Sequence, residues 1–236
     1  MSGSRSPYDS IARLYDPWSA SVTEDVEFYV EEARASGGPV VELACGTGRI
    51  SVPIAKAGIS VIGVDASAGM LEVAREYAAT EGVVLDLRLG DLREPPVPER
   101  VPLVLIPFRS LLHMTTEHER LRALRAAREL LLPGGRLVFD VFAPSAEDVE
   151  DTHGRWLERE PGIFERADWD QDLRTLTLSV RRGEEASTML LAWLSPLEWR
   201  RLLERAGFEV EAQYGWFDRR PYVDEEDVVF VARRPG

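Results

Sequence analysis

From Val40 to Phe142 the chain repeats one pattern: a short β-rich run, a turn, then apolar residues at helical spacing. The β-rich runs fall at 40–44, 60–65 (SVIGVD), 83–89, 101–106 (VPLVLI) and 136–142, with helical patterns at about 49–57, 68–79 and 117–132. The last helix carries Leu121, Leu124, Ala127, Leu130 and Leu131 on one stripe and stops at Pro133-Gly134-Gly135. Strands that alternate with helices pair in parallel, because each helix carries the chain back to the end of the sheet where the last strand began. A helix from Pro196 to Ala206 and runs at 208–214 and 227–233 supply two more strands. The predicted fold is α/β, with a doubly wound, mostly parallel seven-stranded sheet.

Two segments depart from that rhythm. Residues 155–193 alternate with period two: Leu176, Leu178 and Val180 interleave with Thr175, Thr177 and Ser179, and Met189, Leu191 and Trp193 follow a turn at Arg182-Gly183. This is antiparallel hairpin patterning, so an inserted β-rich unit is expected after the fifth strand. The N-terminal stretch instead has an amphipathic helical pattern (Tyr8, Ile11, Leu14, Tyr15, then Val22 and Val26) up to Ser36-Gly37-Gly38-Pro39. The expected organisation is an N-terminal helical cover (1–38), a ligand-binding core (39–143), an inserted acceptor cover (144–194) and a C-terminal completion of the sheet (195–236).

Charge narrows the partners. Asp and Glu outnumber Lys and Arg by 41 to 28, a net charge of −13 that repels phosphate backbones and anionic lipid. The arginines of 119–136 recur at helical spacing among Glu119 and Glu129, which reads as a solvated helix face. No apolar run approaches the ~20 residues of a membrane span, and MSGSRSPYDS has no apolar core of a signal peptide. A lone Cys45 excludes an intramolecular disulfide and suits a reducing cytoplasm. The expectation is a cytoplasmic protein with neither nucleic acid nor membrane as partner, with room for a homodimer.

The stretch VVELACGTGR (40–49) leaves a buried strand for a loop of small residues. There the backbone is the working surface: glycine permits the turn and close approach, and free N–H groups meet polar ligand atoms. Asp65 ends the second strand 19 residues after Gly46, placed to accept ribose hydroxyls. A dinucleotide site would want glycine at position 51, where this chain has Ser51. Glu42 would face a pyrophosphate badly and an ammonium well. A nucleoside bearing an ammonium and no phosphate fits these residues.

VELACGTG resembles motif I of the class I S-adenosylmethionine-dependent methyltransferases, with Ala44 where many members have glycine. GVDASAGML (63–71) resembles motif II, LGDLRE (89–94) motif III, and LLPGGRLVFDVF (131–142) the region of the fifth strand; LSPLEWRRLLERAGFEV (194–210) is also typical. The resemblance implies a Rossmann-like sheet and S-adenosylmethionine as cofactor. It implies that Ala44 and Gly46 present backbone to the methionine part, Asp65 holds the ribose and Met70 packs on adenine. Asp91 would take the adenine amino group and the Leu92 N–H a ring nitrogen. Glu42, Gly48, Arg49, Ala66 and Pro107 complete the expected cofactor-binding set.

The implied reaction is in-line methyl transfer to a small-molecule O or N acceptor. Ile106-Pro107-Phe108-Arg109-Ser110 lacks the Asn/Asp-Pro-Pro-Tyr/Phe signature of enzymes that methylate planar amines in nucleic acids or glutamine, and no Asp/Asn cluster suggests a metal site. His113, just beyond the fourth strand, is the candidate base. Tyr15, folded over the cofactor from YDSIARLYD, is a second candidate, and Arg109 is placed to orient an anionic acceptor. Phe217, Arg219 and Tyr222 are expected to line the same cavity. Two alternatives stand beside this reading: a non-enzymatic S-adenosylmethionine-binding module, and an NAD-dependent oxidoreductase.

Overall fold

In the computed structural model, which describes residues 6–223 and 226–236, a 3₁₀ turn (Pro7–Ser10) leads into α1 (Ala12–Trp18) and α2 (Glu24–Ser36). The core runs β1 (Val40–Leu43), α3 (Ser51–Lys56), β2 (Val61–Asp65), α4 (Ala68–Thr80), β3 (Asp86–Leu89), β4 (Val101–Ile106), α5 (Glu117–Leu130) and β5 (Leu131–Phe142). The insertion holds α6 (Ala146–Thr152) and β6 (Trp156–Glu160), β7 (Ile163–Asp170), β8 (Thr175–Arg182) and β9 (Glu185–Ala192). Then α7 (Pro196–Arg205), β10 (Glu209–Tyr214) and β11 (Asp227–Arg233) close the chain.

Seven strands form one sheet in the order β10-β11-β5-β4-β1-β2-β3. The pairs β1–β2, β1–β4, β2–β3 and β4–β5 are parallel, and β11 alone runs against its neighbours. The chain moves outward from β1 to β3 and then crosses back to β4, so the strand order reverses between β1 and β4. Ligands of doubly wound sheets bind in the crevice at the carboxyl ends of such a pair.

Both faces of the sheet are covered. One buried cluster joins α5 (Leu121, Leu124, Ala127) and α7 (Trp199, Leu202, Leu203) to Val104, Leu137 and Phe139; the other joins α2 (Phe28, Tyr29, Ala33) and Ile54 to Leu103, Leu105 and Val138. Capping boxes start α5 (Thr116 with Glu119) and α7 (Ser195 with Glu198) by satisfying end N–H groups. The expected and observed strands differ most at β5, which begins at Leu131 instead of 136. Leu131 leaves the helix with extended angles (φ −83°, ψ 143°) and pairs with Val101, so Pro133-Gly134-Gly135 becomes an irregularity inside the strand.

The insertion is larger than one hairpin: its sheet has the order β6-β7-β8-β9, with the predicted hairpin as β8–β9 (Leu176↔Leu191, Leu178↔Met189). Ala167, Leu176 and Leu191 join the main core, whereas Ile163, Val180 and Met189 bury Ile11 and Leu14 of the N-terminal segment. Ser10 Oγ donates to the Ala186 carbonyl and Ser187 Oγ to that of Pro7, tying that segment to β9. The N-terminal segment and the insertion therefore form one cover. No helix of the described residues is long and apolar enough to cross a membrane.

Candidate active site

The loop from β1 to α3 takes its shape from three left-handed residues, Ala44 (φ 59°), Gly46 (φ 54°) and Gly48 (φ 82°). Glycine accepts that geometry freely, but Ala44 is held there against a clash of its Cβ with the next carbonyl. Ala44→Gly should relieve the strain at a smaller cost in chain entropy. Stability should rise by ~0.5–1 kcal/mol, or ~1–4 °C in Tm for a chain of this size. A melting curve checks it, and a lower Tm would contradict the reading.

Asp65 locks this loop to β2. Its Oδ2 accepts the Gly46 N–H (2.8 Å) and its Oδ1 the Ser67 N–H (2.8 Å). Burial raises its pKa, and those two N–H bonds oppose the rise. Cys45 is buried, packs where a Cβ on Gly63 would lie, and has a thiol pushed well up by burial, so it fills space. Ser67 caps α4 by accepting the Met70 N–H (3.1 Å) and donates to Asp9 (2.6 Å). Thr47 donates to Asp16 (2.5 Å), so two N-terminal acids hold the segment down on the loop and the α4 start.

At this crevice lies a cavity of about 350 Å³. Of the expected cofactor residues, Ala44, Gly46, Asp65, Ala66, Met70, Asp91 and Leu92 line it. Glu42, Gly48, Arg49 and Pro107 are not on its wall. Glu42 is buried within β1 and accepts from Ser51 Oγ, and burial pushes its carboxyl up to about 8. It lies beneath the loop and does not reach out to a ligand ammonium. The Arg49 guanidinium is spent on Asp25 (2.8 and 2.5 Å) and stacks 4.6 Å from the centre of the Phe108 ring.

A second cavity, about 430 Å³, adjoins the first and is walled by the insertion, with Phe142, Asp148, Trp169, Leu176 and Leu191 among its lining. Tyr8, Tyr15, Phe108 and His113 line both. They form an edge-to-face series, with Tyr8 5.8 Å from Tyr15 and 5.5 Å from His113, and Tyr15 6.1 Å from Phe108. Tyr8 Oη lies 2.9 Å from His113 Nε2. Burial lowers His113 to about 4 and raises both tyrosines. Near pH 7 the imidazole is neutral and both phenols keep their protons.

The geometry thus brings His113, Tyr15 and Arg109 to one place, but Arg109 is committed. It donates to Asp227 (2.7 Å) and sits 4.6 Å from the Phe142 ring centre, which leaves it poorly placed for an anionic acceptor. The last loop is elsewhere: Phe217 packs on Phe28 and Tyr29, Arg219 pairs with Glu31 and Glu32, and Tyr222 packs on the main core. None of the three lines either cavity, since the aromatic face of α2 takes up that loop.

Two residues of this site escape a reading by motif. Tyr8 stands seven residues before Tyr15, a two-turn spacing that points to the same face. Asp140 is a buried acid in the apolar run of β5. Its carboxylate accepts from Phe108 N (2.7 Å), Arg109 N (2.9 Å) and Tyr29 Oη (2.5 Å). Phe108 (φ 55°) and Arg109 (φ 59°) are both left-handed, so Asp140 holds the loop that carries the shared wall.

The residues present suit a nucleoside with a positive charge and no phosphate: Asp65 and Asp91 face the first cavity, and among the described residues its one arginine, Arg93, is bound to Asp91. A doubly wound sheet with such a pocket at its switch point belongs to the folds that bind ligands in that crevice, and comparison narrows the class. A family model described as a methyltransferase domain matches residues 40–135. The putative methyltransferase YqeM of Bacillus subtilis (strain 168) is 30% identical over 138 residues, 58% of this chain and 56% of that protein. Glycine/sarcosine N-methyltransferase of Aphanothece halophytica is 29% identical over 92% of this chain and 84% of its own length. The CcbJ methyltransferase of Streptomyces caelestis superposes with a TM-score of 0.84 at 27% identity, covering 98% of this chain and 99% of that one. The match spans 51–64% of the length of the first three curated relatives. Residues 40–135 thus match a methyltransferase domain, and the chain shares its fold with the CcbJ methyltransferase along nearly its whole length.

Proposed function

We propose that this chain methylates the nitrogen of a small amine that enters the second cavity, beneath the cover formed by the insertion. The observation that carries this reading is the open second cavity, joined to the cofactor pocket along Tyr8, Tyr15, Phe108 and His113. A module that only binds the cofactor has no use for such a space.

The charge of that cavity favours an amine. Asp148, Glu165, Glu226 and Asp227 line it against Arg109 and Arg159, and each arginine is already paired, with Asp227 and Glu165. Asp148 is left facing Glu226, and burial together with a hydrogen bond to that neighbour pushes it up to about 6. Carboxyls so placed attract an ammonium and accept its N–H bonds, while Trp169 and Leu176 offer apolar surface to the rest of the molecule. The similarity to an N-methyltransferase of glycine and sarcosine supports the same choice.

When bound, S-adenosylmethionine supplies a methyl group already activated on a sulfonium. The chain's own task is then alignment and exclusion of water, and orientation alone can supply roughly 7–11 kcal/mol. A base contributes little here. An ammonium with an ordinary pKa of ~10 holds its proton about six units more tightly than His113, ~8 kcal/mol against transfer. His113 therefore orients Tyr8 at the shared wall, and the acceptor loses its proton to solvent before its lone pair attacks.

An amine library assayed for S-adenosylhomocysteine tests this. Turnover is expected for amines, with kcat rising toward the acceptor's own pKa and any break near 6 unchanged in His113→Ala. Turnover confined to alcohols or phenols would overturn the amine assignment. A break at pH 6–7 that disappears in His113→Ala would restore the histidine as the base.

A further inference from the structure

The end of the first cavity lined by Asp91 contains a positively charged side chain with a defined geometry. Arg93 closes on Asp91, two residues before it, with four contacts. Its backbone N–H donates to Oδ1 (2.7 Å), Nε to Oδ1 (2.9 Å) and Oδ2 (3.1 Å), and Nη2 to Oδ2 (2.5 Å). On the far side, Nη1 donates to Glu119 Oε1 (2.5 Å). Glu119 is itself fixed, because it belongs to the capping box of α5 and its Oε2 accepts from Thr116 N (3.2 Å) and Oγ1 (3.0 Å). Asp91, Leu92 and Arg93 all line the cavity.

A carboxylate offers about four acceptor sites. Three N–H groups of Arg93 occupy three of them, which leaves one site, on Oδ2. The same guanidinium lies between two carboxylates, Asp91 on the pocket wall and Glu119 behind it. Side-chain contact with Arg93 also holds Asp91 below the usual carboxylate range, so it is ionised at any working pH.

We propose that Arg93 is a specificity-determining positioning residue. Braced by Glu119, it aims the one remaining acceptor site of Asp91 at the exocyclic amine of the bound adenine ring. This rests on the assignment of S-adenosylmethionine to the pocket. A 6-amino group fills that site as a donor, whereas a 6-oxo group would set oxygen against carboxylate oxygen. Lysine could keep the charge but could not hold both carboxylate oxygens in a plane.

Calorimetric titration with S-adenosylhomocysteine and with its 6-oxo analogue, S-inosylhomocysteine, tests this without any acceptor. Wild type should prefer the 6-amino ligand by about 10²-fold, the cost of an unmet pair at a site built for one. Arg93→Met should bind S-adenosylhomocysteine about tenfold more weakly and bring the preference below about fivefold, and Asp91→Asn should add less than about twofold in that background. Arg93→Lys should also lose most of the preference, which covers the case in which the methionine variant fails to fold. Three results would overturn the proposal: a preference in Arg93→Met within twofold of wild type, full preference in Arg93→Lys, or an Asp91→Asn loss of equal size in both backgrounds. Equal wild-type affinity for the two ligands would overturn it as well. Failure of wild type to bind S-adenosylhomocysteine would remove the cofactor assignment and the proposal together, a result distinct from the others.

Discussion

Asp65→Ala should weaken S-adenosylhomocysteine binding by at least about 10²-fold, near 3 kcal/mol, because charged hydrogen bonds contribute ~1.5–3 kcal/mol each. Two effects add. The carboxylate lines the pocket as the proposed acceptor for the ribose hydroxyls, and it also accepts Gly46 N–H and Ser67 N–H at 2.8 Å. Alanine removes the ligand's acceptor and releases the left-handed turn at Gly46 as well as the entry to α4. Asp65→Asn separates the effects, since its carbonyl keeps one of the two N–H bonds while its amide repels the other. It should fall between wild type and alanine. Titration calorimetry measures the loss; a change of less than about threefold, or tighter binding of NAD than of S-adenosylhomocysteine, would sink the role given to Asp65.

That prediction was available before any coordinates, and the reason is physical. A strand-turn-helix with glycines and an acid on the next strand end fixes backbone geometry, and backbone geometry is what short-range patterning encodes. Gly46 and Asp65 follow from it, Ala44 and Met70 from the resemblance of the two motifs, and all four line the cavity. Side chains whose partners lie far along the chain are less legible. Arg49 looks free to meet a ligand until Asp25, 24 residues earlier, is brought beside it by α2. Glu42 reads as a ligand contact until the pleat of β1 turns it toward Ser51. Phe217 reads as recognition until Phe28 and Tyr29 present it with a packing surface.

Insertion and cover show the same division. Period-two patterning marked β8 and β9, because alternating burial leaves a trace in residues 175–191. The earlier pair fell inside the same 155–193 reading but was not resolved strand by strand: in β6 (WLERE) and β7 (IFERADWD) charged residues interrupt the alternation. Nor could patterning reveal that Ile11 and Leu14 bury themselves against Val180 and Met189 and make one cover of two distant segments.

The heaviest structural loss is expected from Asp140→Ala. Three donors would lose their acceptor at once: Phe108 N–H, Arg109 N–H and the Tyr29 hydroxyl. A buried donor left unmet costs about 1–3 kcal/mol, so a loss of ~3–5 kcal/mol is expected, a large part of the 5–15 kcal/mol that keeps a domain folded. Urea unfolding should show it as a lower midpoint with an unchanged slope. Asp140 is pushed up to about 6 by burial and is ionised at pH 7, so the lost groups are charge-assisted bonds. Function should fail further than folding. Phe108 and Arg109 are left-handed at ~1–2 kcal/mol each, and the carboxylate is the group that accepts the N–H of both. The loop should relax to negative φ and carry Phe108 away from Tyr15, and a displacement of ~1 Å at the transfer point can lower turnover about 10²-fold. Asp65, Met70 and Asp91 are anchored elsewhere, so S-adenosylhomocysteine should still bind within about tenfold of wild type at a temperature where the variant is folded. Asp140→Asn, which keeps one carbonyl acceptor, should recover part of the stability and part of the rate. If Asp140→Ala unfolds within about 1 kcal/mol of wild type, or keeps full turnover, the buried acid is a spectator and the wall is held by packing alone.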